Sequence, residues 1–139
     1  MNKEGFELVE REPTVNEYQR FRRAVGWSEV AGEGVEVGLK NALYYVVLFH
    51  DKKTIGCGRV VGDGGIYFYV QDIIVLPEYQ GLGLGRSIMD KVMDYLRRRA
   101  KAGAFIGLMA AEGVAPFYER YGFEVRPDDA PGMAMRWEG

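Results

Sequence analysis

The chain has 139 residues, of which 47% are hydrophobic and 27% are charged, and its formal net charge is −2. This composition is typical of a globular protein, and the small negative charge argues against bulk nucleic-acid binding, which needs a strongly basic surface. Cys57 is the only cysteine, so an intrachain disulfide is excluded and a reducing compartment is favoured. With no signal peptide and no stretch apolar enough to span a membrane, we expect one cytoplasmic domain over residues 1–139.

The first half of the chain predicts a strand, a helix and a three-stranded meander. Residues 6–9 form the short strand, and Thr14 with Glu17 makes a capping box that starts a helix ending near Gly26. Residues 27–40 predict a loop with room for one short helix. The meander strands are rich in aromatic and β-branched residues and are bounded by turn formers; they span residues 43–50, 54–61 and 66–76.

The second half predicts a helix, a strand, a short helix and two strands: 86–102, 104–110, 112–121, 123–126 and 133–137. Because a helix joins the last meander strand to the next strand, these two should lie parallel. The short helix tolerates Pro116 only in its first turn. The fold class is therefore α/β (α+β): a mixed, mostly antiparallel sheet of about six to seven strands with helices on both faces.

The most informative stretch joins the third meander strand to the helix after it, from Val70 to Arg86. It reads Val-Gln-Asp-Ile-Ile-Val-Leu-Pro-Glu-Tyr-Gln-Gly-Leu-Gly-Leu-Gly-Arg. Its three glycines allow the backbone to curl, and the helix start carries unpaired N–H groups and a partial positive charge, which together suit a phosphate or pyrophosphate. A dinucleotide fingerprint is excluded by Arg86 in place of glycine, and a P-loop by the absence of a Lys followed by Ser or Thr.

The pattern Gln80-x-x-Gly83-x-Gly85, behind an apolar strand and Pro77, resembles the acetyl-CoA motif of the GCN5-related N-acetyltransferases (GNAT family). The later run Ala115–Phe123 resembles the second segment of the same family. The resemblance implies a splayed parallel pair of central strands in a GNAT-type sheet. It also implies acetyl-CoA as co-substrate, with no metal.

The resemblance further assigns cofactor-binding residues to the strand, the glycine turn and the second segment: Ile73, Ile74, Val75, Gln80, Gly81, Leu82, Gly83, Leu84, Gly85, Arg86 and Tyr118. In the family, the tyrosine at position 118 is also the catalytic general acid. A phenol, with an unperturbed pKa of about 10, can protonate a departing thiolate of similar basicity.

The general base is less well defined, because the chain departs from the family pattern. Ala111 stands where many members have an asparagine, and Ile106 falls where some have a carboxylate. Asp72, at the mouth of the central strand, is the predicted catalytic base, acting directly or through water; an ion pair or a turn cap is an equally weighted alternative. Glu112 is better explained as a charge at a helix N-terminus.

The predicted activity is direct acetyl transfer from acetyl-CoA to a primary amine of a small molecule or protein, and the alternative is a non-catalytic CoA-binding module. Tyr18, Phe21 and Trp27 either line the acceptor pocket or belong to the core. The predicted partners are acetyl-CoA and the amine, with no nucleic acid and no membrane, and a homodimer is the suggested assembly.

Overall fold

The computed structural model describes residues 4–138, which form five strands, four α-helices and a short 3-10 turn. The elements in chain order are β1 (Phe6–Val9), α1 (Val15–Ala24), α2 (Gly32–Lys40), β2 (Tyr44–His50), β3 (Lys53–Gly62), β4 (Tyr67–Val75), the 3-10 turn (Pro77–Tyr79), α3 (Leu84–Arg99), β5 (Phe105–Gly107) and α4 (Ala115–Glu119). Helix α2 is the one short helix for which the loop prediction left room.

The five strands form one sheet in the order β1-β2-β3-β4-β5. Neighbours from β1 to β4 are antiparallel, whereas β4 and β5 are parallel, with Tyr67 opposite Phe105 and Tyr69 opposite Gly107. The mixed, mostly antiparallel fold and the parallel pair across a helix are thus confirmed. Because β5 ends at Gly107, opposite Tyr69, the rest of β4 has no strand of the described chain paired with it on that edge.

The sheet has fewer strands than the six to seven predicted, because residues 123–126 and 133–137 form no strand. A strand needs a partner for its backbone groups and a face to bury, and these segments leave four large apolar side chains exposed. The exposed fractions are 71% for Val125, 89% for Met133, 80% for Met135 and 79% for Trp137. Alternation of apolar residues alone therefore overestimated the strand content here.

The described chain divides into two compact units, one ending at Leu108 and one beginning at Met109. The first contains the whole sheet with α1, α2 and α3. Its core is built where one face of α3 packs against β2, β3 and β4, and its fully buried side chains include Leu48, Ile55, Phe68 and Ile88. The second unit contains α4, in whose first turn Pro116 lies, as the sequence required.

Helix α1 begins with the capping box that the sequence predicted. The Glu17 amide donates to the Thr14 hydroxyl at 3.1 Å, and the Thr14 amide donates to the Glu17 carboxylate at 2.8 Å. Two orphan amides at the helix start are thereby satisfied. The cap fixes where α1 starts, and α1 carries Tyr18, which enters the site described below.

Candidate active site

The candidate site begins where β4 ends and the chain turns into α3. After β4 the Leu76 amide donates to the Ile55 carbonyl at 2.9 Å, which keeps the chain on the sheet. The Gln80 side chain then donates from Nε2 to the Val75 carbonyl at 2.9 Å. Gln80, a predicted cofactor-binding residue, therefore has a visible local role: it ties the start of the glycine turn to the end of the strand.

The glycine turn is open to solvent and has the backbone conformation that the motif needs. Gly81 and Gly83 have φ angles of 83° and 78°, in the left-handed region that glycine enters without the penalty of a Cβ. Gly83 is the N-cap of α3 and brings no side chain to cap it, and the first turn of α3 contains no acidic residue. The helix start therefore retains the positive end of its dipole towards solvent, as an anion site requires.

Strand β4 contains a bulge just before the turn. Pairing with β3 runs from Arg59 opposite Gln71 directly to Cys57 opposite Ile74, so that Asp72 and Ile73 face the single residue Gly58. At the bulge Asp72 has a φ of 56°, which non-glycine residues adopt rarely.

Gly58 leaves the space that the bulge uses. A Cβ at this position would lie 2.6 Å from Ile88 Cγ2 and 2.9 Å from Ile73 Cδ1. Of the predicted cofactor-binding residues of β4, Ile73 is therefore outside the ladder with β3, while Ile74 and Val75 remain within it.

The Asp72 side chain lies in a buried polar cluster. Its Oδ2 accepts hydrogen bonds from Nε of Arg59 at 2.7 Å and from the Tyr18 hydroxyl at 2.9 Å, and its Oδ1 accepts one from Gln71 at 3.3 Å. The Asp72 side chain is only 1% exposed and that of Arg59 17%. The ion pair that the sequence left open as an alternative is present; a role as general base stays a prediction.

The cluster extends into both N-terminal helices. Arg22, one turn after Tyr18 on α1, donates from Nη1 to the Tyr18 hydroxyl at 3.3 Å. Arg59 donates from Nη1 to the Gly38 carbonyl of α2 at 3.2 Å. The Asp72 carboxylate thus joins β4 to β3 and α1, and Arg59 extends the cluster to α2.

The electrostatics of the cluster favour a fixed ion pair. Burial raises the pKa of the Tyr18 phenol, and the neighbouring Asp72 charge raises it further, so that Tyr18 is a proton donor at neutral pH. Burial alone would lower the pKa of Arg59, but the charge and hydrogen bond of Asp72 reverse this effect and raise it. Arg59 therefore keeps its positive charge despite its limited contact with water.

A narrow space adjoins this cluster, and Tyr18 is one of its walls. It is lined by Pro13, Tyr18, Leu39, Tyr45, Cys57, Gly58, Arg59 and Asp72. Of the other two aromatic residues proposed for an acceptor pocket, Phe21 is fully buried in the core. Trp27 lies under the guanidinium of Arg22, 5.5 Å from the ring centre.

Tyr118, the predicted general acid, lies in α4 within the second unit. Its ring contacts Phe117, with centroids 5.1 Å apart, and Phe123, with centroids 6.2 Å apart. Burial raises the pKa of the Tyr118 phenol, so the protonated form is favoured at neutral pH. Gly122 ends the segment with a φ of 98°, the left-handed conformation expected of it.

The structure places the predicted strand residues, the glycine turn and Asp72 in the first unit, and Tyr118 in the second. Sequence reasoning missed the roles of Tyr18 and Arg59. Tyr18 was expected either to line the acceptor pocket or to belong to the core, and its hydrogen bond to Asp72 was not predicted. Arg59 offered a usable signal, because it is a charged residue within a strand of otherwise small and apolar residues, and buried charges need partners.

No helix in residues 4–138 is both long and apolar enough to cross a membrane. The same range contains no cluster of three or more His, Cys, Asp or Glu side chains arranged to hold a metal ion.

An open strand edge, an exposed glycine turn and a helix start with the positive end of its dipole towards solvent are the features expected of a site for a phosphate-bearing cofactor on a mixed α/β sheet. Residues 41–125 match the family model of the acetyltransferase (GNAT) domain. The chain therefore belongs to the GNAT acetyltransferase family. This membership supports the expected enzyme class, an acyltransferase acting on amino groups.

Similar proteins agree with this membership. An uncharacterized N-acetyltransferase, ycf52, from Pyropia yezoensis is 31% identical over 121 residues, which are 84% of this chain and 68% of that protein. Serotonin N-acetyltransferase 2, chloroplastic, from rice is 38% identical over 108 residues, 72% of this chain and 53% of that protein. A crystal structure from meticillin-resistant Staphylococcus aureus, described as a probable acetyltransferase of unknown function, has a TM-score of 0.90 and 34% identity, with 95% and 99% of the two chains covered.

Proposed function

We propose that this protein is an acetyl-CoA-dependent N-acetyltransferase that transfers the acetyl group directly to a primary amine. The observation that carries the proposal is the continuous path along the splayed end of β4 into the exposed turn at Gly81 and Gly83 and the start of α3. A thioester arm can lie along the open strand edge while its pyrophosphate lies at the helix start.

In this proposal the amides of the glycine turn bind the pyrophosphate. Residues 81–86 provide these amides, with Gln80 fixing the start of the turn through its bond to Val75. The unpaired edge of β4 from Ile73 to Val75 accepts the pantetheine arm, and N–H groups near the bulge stabilise the oxyanion of the tetrahedral intermediate.

The leaving thiolate takes its proton from Tyr118. The phenol is protonated at neutral pH, since its ordinary pKa is about 10 and burial raises it, so its proton is available to the departing thiolate. The acceptor amine arrives mostly protonated and must lose one proton before it attacks. Asp72 is occupied by Arg59 and Tyr18, so we propose that water held near the bulge takes this proton and that Asp72 acts by holding the bulge.

We propose a small amine as acceptor and place arylalkylamines first, because the rice relative is named a serotonin N-acetyltransferase. The competing proposal is a CoA-binding module without transferase activity. The Arg59–Asp72 ion pair favours this alternative, because it engages the carboxylate that the sequence offered as the general base. A cytoplasmic, single-domain homodimer without metal, nucleic-acid or membrane partners remains our working expectation.

The deciding experiment measures thiol release from acetyl-CoA with serotonin, tryptamine, spermidine, glucosamine 6-phosphate and a lysine peptide, alongside calorimetric binding of acetyl-CoA. Thiol release that depends on one of these amines supports the enzyme. Acetyl-CoA binding without turnover of any amine supports the module, and absence of binding contradicts both proposals.

A further inference from the structure

We propose that Arg59 and Tyr18 are positioning residues that act through the Asp72 carboxylate to hold the bulge of β4, and so orient the peptide groups that receive the acetyl carbonyl. The inference rests on the proposed function for its catalytic consequence. Its structural part, that these two side chains hold the backbone of Asp72 at positive φ, is testable without any substrate.

The first argument is the cost of the conformation. An aspartate at a φ of 56° is sparsely populated in free chains, and such a residue persists only where surrounding contacts determine it. Here the side chain of the strained residue is held from two directions by Arg59 of β3 and Tyr18 of α1. Both contacts are with Oδ2, and Gln71 donates to Oδ1, so the carboxylate is held through both of its oxygens.

The second argument is that Arg59 and Tyr18 are themselves fixed by other contacts. Besides Asp72, Arg59 contacts the Gly38 carbonyl of α2, and its guanidinium lies 5.7 Å from the centre of the Tyr18 ring. The Tyr18 hydroxyl accepts a hydrogen bond from Arg22 while it donates to Asp72. Side chains fixed in this way lose little further entropy on binding and can position a backbone group within fractions of an ångström.

The third argument is the location. The strained residue is adjacent to Ile73, which lacks a partner in the β3 ladder and begins the strand edge assigned to the pantetheine arm. A shift of this peptide group alters the distance from its N–H to the developing oxyanion. Misplacement by about 1 Å costs roughly a hundredfold in rate.

The test compares Tyr18→Phe and Arg59→Met with two matched controls. Tyr44→Phe removes a hydroxyl that also donates to a carboxylate, that of Glu10, from a tyrosine of similar burial. Arg20→Met removes an arginine of α1 that donates to the Thr54 carbonyl and does not contact Asp72.

The structural measurement is the intraresidue NOE between HN and Hα of Asp72, which is strong at positive φ because these protons are closer there than in an extended strand. We expect it to weaken in Tyr18→Phe and Arg59→Met and to persist in both controls. An unchanged NOE in folded Tyr18→Phe would overturn the inference, and this variant keeps the test decisive if Arg59→Met does not fold.

The catalytic measurement uses acetyl-CoA and whichever amine of the panel is turned over. We expect kcat to fall by roughly tenfold to a hundredfold in Tyr18→Phe and Arg59→Met, with little change in acetyl-CoA affinity and an unchanged shape of the pH profile. Arg59→Lys, which keeps the charge but not the forked geometry, should recover part of this loss. Equal losses of kcat in the controls would overturn the positioning role. Failure of the wild-type protein to bind acetyl-CoA would reject the proposed function, and the NOE result would then decide the structural inference.

Discussion

Replacement of Gly83 by valine separates the role of the glycine turn in binding from its role in folding. Gly83 has a φ of 78°, and a Cβ added there would meet no atom of the protein within 4 Å. The folding penalty is therefore conformational alone, about 1–2 kcal/mol for an L-residue in the left-handed region. In the proposed complex, however, the new side chain occupies the space through which the pyrophosphate reaches the amides.

The matched control is Gly103→Val, just beyond the other end of α3. Gly103 has a φ of 89° and equally open surroundings, so the same substitution carries nearly the same folding penalty. Both variants should lose a similar few degrees of Tm. Only Gly83→Val should also lose acetyl-CoA affinity, by at least roughly tenfold, since each charged hydrogen bond lost costs about 1.5–3 kcal/mol.

Isothermal titration calorimetry with acetyl-CoA, performed well below both Tm values, measures the difference. Wild-type affinity in folded Gly83→Val would refute the assignment of the turn as the pyrophosphate site. An equal loss in Gly103→Val would show that strain in or near α3, and not access to the turn, controls binding.

Four further predictions follow from the same structure. Tyr118→Phe keeps the ring and its aromatic contacts, so it should lower turnover by about a hundredfold or more with little loss of stability. Its control, Tyr121→Phe, should leave turnover nearly unchanged. The reverse result in thiol-release assays would show that the register of this helix is misassigned. Asp72→Asn should lower kcat without flattening the acidic limb of the pH–rate profile; a flattened limb would identify Asp72 as the base that the sequence predicted. Gly58→Ala should destabilise the fold by about 1–3 kcal/mol in urea unfolding, because its Cβ would overlap Ile88 and Ile73, and an unchanged midpoint would contradict this packing. Burial acts to raise the pKa of Glu17, but the hydrogen bonds to its carboxylate, with that from Arg11 first, prevail and lower this pKa below 4.5. The contribution of Glu17 to stability is therefore present above pH 4.5 and is lost as the pH falls through the lowered pKa. Glu17→Gln should remove this contribution from acid-unfolding curves.

The meander was predictable because its signals are local. Strands expected over residues 43–50, 54–61 and 66–76 are found at Tyr44–His50, Lys53–Gly62 and Tyr67–Val75, since turn residues and β-branched runs mark such boundaries directly. The glycine turn was predictable for the same reason, because its motif lies within one short stretch of the sequence. The final strand pair was not, since whether an alternating segment pairs depends on a partner that its own sequence does not specify.

The polar cluster could not be predicted from local sequence patterns, for a different reason. Tyr18 and Asp72 are separated by 54 positions and Arg59 and Asp72 by 13, so no window of the sequence contains the three together. Each residue taken alone had a plausible simpler explanation: a core aromatic, a strand arginine, a strand-end carboxylate. Only Arg59 hinted at an unseen partner, because a charged side chain inside a strand of a sheet loses contact with water and needs a partner.

The bulge explains why one strand can serve two parts of the proposed reaction. Beyond the bulge β4 still pairs with β3 through Ile74 and Val75, so the strand reaches the glycine turn in fixed register. At the bulge itself Ile73 leaves the ladder, in the space that Gly58 provides opposite it. The proposed reaction needs the Ile73 peptide group turned from its regular position in the ladder with β3, and it needs the turn held in register. An interruption of the ladder between two paired segments meets both requirements, and the Asp72 cluster holds the chain at that interruption.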